Sequence, residues 1–219
     1  MTGYTASERT ALKNAVLTTL SNLKSAFPLE KRISCATQET RLSYVRVLAA
    51  WLRGETPLPS MLSQDMLRIL RDLDAVVTDS SGLSCYPFSA RDRGIRVKYG
   101  QHAAQAMCAI DALAVARIAR TATQISATCD HCLQPVTCEV QADGSLDHSQ
   151  TDNARVVWNR TLGAAGSCSD NLCRNLNFQC RHCRIPADAT SLTLPQATAV
   201  ANAFFAFQQR LLQATSADL

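Results

Sequence analysis

The sequence predicts an α+β protein: a helical, winged-helix-like N-terminal part, then a mixed domain in which a small, mainly antiparallel sheet is packed by helices. Three observations predict it. Apolar residues recur at helical spacing as far as Leu73, short strand-type runs bounded by turn residues take over from Val76, and the chain closes on another long helical pattern. With 219 residues, 47 % of them hydrophobic and 18 % charged, the chain is long and apolar enough to bury a core.

In order along the chain, Leu12, Val16, Leu20, Leu23 and Phe27 mark the first helix, with Thr5 or Ser7 available to cap it. The stretch RLSYVRVLAAWLRGE forms the second and stops near Gly54. PSMLSQDMLRILRDLDAVV reads as the third, with Leu62, Met66, Ile69, Leu70 and Leu73 on one side. VVTDSSGLSCYPF is a hairpin turning at Ser80-Ser81-Gly82. A boundary near 84 then divides a helical region, 1–84, from a mixed domain, 85–219. In the second part GIRVKY is a strand and GQHAAQAMCAIDALAVARIAR a helix from about 102 to 120. TQISATC and PVTCEV flank a cysteine-containing turn, and ARVVWN is a further strand. A short helix is expected around Leu172–Leu176, and LPQATAVANAFFAFQQRLLQ is the closing helix, with Pro195 suited to its first turn.

The net charge of +4 is too weak to argue for nucleic acid, and no apolar run reaches the ~18 residues of a membrane helix. The third helix, taken as a DNA-recognition helix, offers only Arg68 and Arg71, with Asp65, Asp72 and Asp74 beside them. The N-terminus shows no secretory signal, so a cytoplasmic location is expected. In that reducing compartment the ten cysteines are expected as thiols, metal ligands or catalytic groups.

The segment MCAIDAL places Cys108 and Asp111 three residues apart in an apolar run. On one helical face a soft thiolate and a carboxyl can converge on one ligand. Apolar surroundings raise a carboxyl's pKa, so that it can hold and deliver a proton. The bland alternative is a solvated stripe of Gln105, Cys108 and Asp111 on a surface helix. Cys129 and Cys132 form one C-x-x-C pair, Cys180 and Cys183 another, and together they are candidate ligands for a tetrahedral zinc. The alternative is two unrelated turns. His131 and His182, inside these pairs, are expected as exposed loop residues. Dinucleotide, phosphate-loop and serine-hydrolase motifs are absent, and no histidine is placed to serve Cys108.

The stretch YPFSARDRGIRVKYGQHAAQAMCAIDALAV, residues 86–115, resembles the core of the organomercurial (alkylmercury) lyase family, with its Cys-Ala-x-Asp-x-Leu segment. RTATQISATCDHCLQPVTCEV is similar to that family's cysteine-bearing hairpin, NLCRNLNF to the segment holding its second active-site cysteine, and ATAVANAFFAFQQRLL to its closing helix. The resemblance covers about residues 85–212; the second C-x-x-C pair lies outside the pattern.

The resemblance implies protonolysis of a carbon–mercury bond to a hydrocarbon and Hg(II). Cys108 and Cys173 would be the two thiolates, Asp111 the proton donor, and Cys129 a structural cysteine. Cys168 and Cys180 compete for the second thiolate position. Organic cofactors are not implied. An organomercurial is the expected substrate, and Hg(II) the bound product. Small cytoplasmic thiols or a mercury-reducing protein would then accept the ion. Rival readings are a zinc- or soft-metal-binding protein without catalysis, a metal-responsive winged-helix regulator, and a lyase of the same fold with another substrate.

Overall fold

The computed structural model describes residues 6–146, 153–159 and 167–217, without the side chains of 6–9 and 216–217. The expected cap of the first helix, Thr5 or Ser7, falls outside these. Helix α1 spans Ala6–Ala26, α2 Leu29–Ser34, α3 Gln38–Leu52 and α4 Gln64–Asp72. Thr37 caps α3 by accepting from the Thr40 amide at 3.2 Å, and Ser63 caps α4 from Met66 at 3.3 Å. α3 stops where Gly54 adopts φ +80°; a Cβ there would lie 2.2 Å from Nδ1 of His102, so only glycine fits.

The third predicted helix is shorter than its apolar pattern. A 3-10 turn, Pro59–Met61, precedes α4, and Val76 and Val77 leave the helix for strand β1, Val76–Asp79. Two adjacent β-branched residues favour the extended state, and pairing of β1 with β2, Gly82–Cys85, satisfies their backbone. Strands β3 (Phe88–Ser89), β4 (Ile95–Tyr99), β5 (His102–Ala106), β6 (Thr123–Thr128) and β7 (Pro135–Val140) complete a seven-stranded antiparallel sheet ordered β1-β2-β3-β5-β4-β6-β7. A second antiparallel sheet, β10-β8-β9, joins β8 (Ala154–Asn159), β9 (Leu176–Cys180) and β10 (Ala189–Thr193).

The helix expected over about 102–120 is instead strand β5 followed by α5, Ala109–Ala119. The segment HAAQA is claimed by two neighbours: Ala106 and Gln105 face Phe88 and Ser89, and Gln105 to His102 also face Arg96 to Tyr99. A two-sided ladder outweighs the helix preference of alanine. Helix α5 is buried along Ala109–Ala116. It packs on β4–β6 and against α6, Leu194–Phe204, where small residues on both helices (Ala112, Ala116, Ala197, Ala201) are fully buried. α6 starts with a capping box between Thr193 and Gln196, and the closing helix breaks at Phe205 before α7, Ala206–Ala217. Among the described residues no helix is long and apolar enough to cross a membrane.

Candidate active site

The reversal at 106–109 decides the chemistry of the site. Cys108 is the N-cap of α5, in extended backbone, and its sulfur accepts the Asp111 amide at 3.5 Å. Asp111, at the third helical position, turns its carboxylate back, and the Cys108 thiol donates to Oδ2 at 2.8 Å. Thiol and acid therefore meet because they occupy the two ends of a capping arrangement, with sulfur in the place usually held by a hydroxyl. Both are nearly inaccessible, at 2 % and 3 %, which excludes the solvated stripe; Gln105 sits on β5 instead.

The second sulfur arrives from far along the chain. Cys173 opens a 3-10 turn, Cys173–Asn175, ahead of β9, and its thiol lies 3.6 Å from the same Oδ2 of Asp111. The short helix expected around Leu172–Leu176 is this turn, and Leu176 already belongs to the sheet. Cys168 stands behind: its sulfur is 3.9 Å from that of Cys173, and its carbonyl accepts the Cys173 amide at 2.9 Å. The three atoms of Cys108, Asp111 and Cys173 able to hold a soft ion lie within 4.8 Å of one another.

These groups line a narrow apolar cavity. Leu23 of α1, Phe27 just beyond it, Tyr86, Ile110, Leu172 and Phe204 form much of its wall. Burial pushes the Asp111 carboxyl up to about 7, against the bonds from Cys108 and Cys173 that favour its ionised form. Burial raises the Cys108 thiol well above its ordinary range, helped by the neighbouring Cys173 and Asp111. Hydrogen bonding with Cys108 lowers the Cys173 thiol, but the bond to Cys168, burial and nearby negative charge outweigh it and leave that thiol raised. Burial thus favours neutral thiols around a carboxyl poised near neutrality.

A supporting residue is read in the sequence only as part of an acidic helix end. Asp74, just beyond α4 in left-handed backbone, accepts the Cys168 amide at 2.8 Å and the Tyr86 hydroxyl at 3.4 Å. It joins the cysteine loop to the first half of the chain across 94 positions. Nothing local in the sequence signals such a contact.

The four remaining candidate ligands also come together. The sulfurs of Cys129, Cys132, Cys180 and Cys183 lie within 4.8 Å of one another, so the two turns are not unrelated. Cys180 belongs to that cluster and not to the group around Asp111. His131 and His182 are exposed, and Cys85 and Cys138 are core residues.

An α+β fold that gathers two thiols and one buried carboxyl on a narrow apolar pocket defines a soft-metal-handling protein of the lyase type. The family model described as alkylmercury lyase (MerB) matches residues 88–205, more than half of the chain, and the chain belongs to that family. A solved structure titled the mercury-bound form of MerB2 shares the fold, with a TM-score of 0.62 at 15 % identity, covering 82 % of this chain and 98 % of that one. A search of curated proteins gives no match.

Proposed function

We propose that this member of the alkylmercury lyase family cleaves carbon–mercury bonds with Cys108, Cys173 and Asp111. The observation that carries the reading is the convergence of both sulfurs on one oxygen of one buried acid. An organomercurial R–Hg–X enters the apolar pocket, and one thiol replaces X, its proton leaving with X. The second thiol passes its proton to ionised Asp111 and binds mercury as thiolate. Soft metals prefer sulfur, and binding drives the deprotonation that burial opposes. Two thiolates load electron density onto mercury and make the attached carbon carbanion-like. Asp111 then protonates that carbon, releasing R–H and leaving Hg(II) on Cys108 and Cys173. Atoms balance: the two thiol protons leave as HX and R–H.

The apolar wall suits the organic group, and water, a poor donor to soft mercury, is kept out. Organic cofactors have no step to perform. Small thiols of the cytoplasm, or a mercury-reducing protein, would take the ion by exchange onto fresh sulfur, placing the protein in cytoplasmic mercury detoxification. The fold's hairpin and helices do not favour the regulator reading, since α4 carries few cations. Purified protein mixed with phenylmercury tests the proposal by gas chromatography: benzene is expected, and mercury bound without benzene would favour a non-catalytic metal binder.

A further inference from the structure

We propose that Cys129, Cys132, Cys180 and Cys183 form a resident four-thiolate zinc site, distinct from the mercury site, that clamps the two sheets together at the far end of β9. The geometry suits the ion. The Cys129 and Cys183 sulfurs are 3.8 Å apart, those of Cys132 and Cys180 3.7 Å, and all four lie within 4.8 Å of one another. Zinc–sulfur bonds of about 2.3 Å in a tetrahedron put neighbouring sulfurs about 3.8 Å apart. Burial is also suitable, with Cys129, Cys180 and Cys183 at 0 %, 6 % and 8 % exposure and Cys132 half-buried.

The backbone around the sulfurs is built to hold them. The β6–β7 turn closes through the Leu133 amide on the Cys129 carbonyl at 2.9 Å and the Cys129 amide on Gln134 at 2.8 Å. Leu133, next to Cys132, takes left-handed backbone, φ 60°, and leaves its side chain 74 % exposed. The amides of Cys132 and Cys180 both donate to the Cys129 sulfur, at 3.5 and 3.2 Å, as they would to a metal-bound thiolate. On the other side Arg155 forks onto Gln179 Oε1 at 3.1 and 2.9 Å and also donates to the Cys183 carbonyl. The two turns are joined directly by the Asp130 amide on the Phe178 carbonyl, 3.0 Å.

The first pair sits in the turn joining β6 to β7 of the seven-stranded sheet, and the second at the end of β9, in the three-stranded sheet, and just beyond it. Zinc at this point therefore cross-links the two sheets beside the Asp130–Phe178 backbone hydrogen bond that already joins the turns. The cluster stands on its own geometry and does not depend on the lyase reading. Soft-donor, four-sulfur coordination selects zinc over hard cations, and its closed ligand set has no open position for catalysis.

The test is elemental analysis of the full-length protein, purified without chelator and never exposed to mercury. About one zinc per chain is expected. Cys132→Ser/Cys180→Ser is expected to lose it, and Cys35→Ser, an exposed thiol outside the cluster, to keep it. Should the double variant fail to fold, cobalt substitution of the unaltered protein still decides, since tetrahedral thiolate cobalt has intense charge-transfer and d–d bands. Metal-free protein whose four thiols react freely with a thiol reagent, iron in place of zinc, or cobalt without thiolate bands would overturn the proposal.

Discussion

The thiols of Cys108 and Cys173, 65 positions apart in sequence, both bond to Oδ2 of Asp111, at 2.8 and 3.6 Å. One oxygen thus receives a proton from either sulfur and stands where an atom held between those sulfurs can take it. Binding, proton storage and proton delivery share one carboxylate.

Both sulfurs are needed and the third is not. Cys108→Ala and Cys173→Ala are expected to lower benzene release from phenylmercury by at least roughly 10²-fold, since general acid catalysis alone contributes about 10²–10⁴-fold and needs the activated carbon. Cys168→Ala is expected to stay within about threefold of the unaltered protein, because Cys168 contacts Cys173 rather than Asp111. Steady-state assays of the three variants check this; inactivity of Cys168→Ala with an active Cys173→Ala would reassign the second thiolate.

Activity should follow the ionisation of Asp111. The carboxyl must be ionised to take a thiol proton, and burial sets it at about 7. The expected pH profile of kcat/KM rises through about 7 and levels above it. A flat profile between about pH 5 and 8 would remove Asp111 as the acceptor.

The same shift acts on stability with a definite sign. The folded carboxyl holds its proton up to about 7, while the unfolded one releases it near the ordinary aspartate value of 3.8. Between those values the native state binds more protons, so stability falls as pH rises through the window and is constant above it. Asp111→Asn should flatten that dependence, read as Tm against pH, and gain most over the unaltered protein on the alkaline side.

Asp74 supports the loop without touching the reacting atoms. Asp74→Ala leaves the buried Cys168 amide unpaired and frees the Tyr86 hydroxyl, a loss on the order of 1–3 kcal/mol. Lower Tm and slower turnover are expected, with Asp74→Asn restoring much of both, as an amide oxygen can still accept. Turnover unchanged in Asp74→Ala would mean the loop is held by its other contacts.

Much of this was legible in the residues. Alternation marked β4, β6 and β7, and the closing helix stood out by its period. Cys108 and Asp111 stood out as polar residues in an apolar run. What was not legible is long-range. HAAQA has no strand character of its own and becomes β5 through its two neighbours. With no strand pattern in β5, the residues alone do not show that the helix starts at Ala109 and that Cys108 is its cap. Residues 189–193 become β10 only by pairing with β8, and α2 is too short to show a period. The approach of Cys173 to Asp111, and of Asp74 to Cys168, is made by packing, which periodicity does not report.

The most direct test of the central claim separates mercury capture from bond cleavage in Asp111→Ala. With one equivalent of phenylmercury, the unaltered protein should release benzene and retain Hg(II), whereas Asp111→Ala should retain the whole phenylmercury group on its two thiols and release none. Benzene appearing from Asp111→Ala at the unaltered rate would contradict the account.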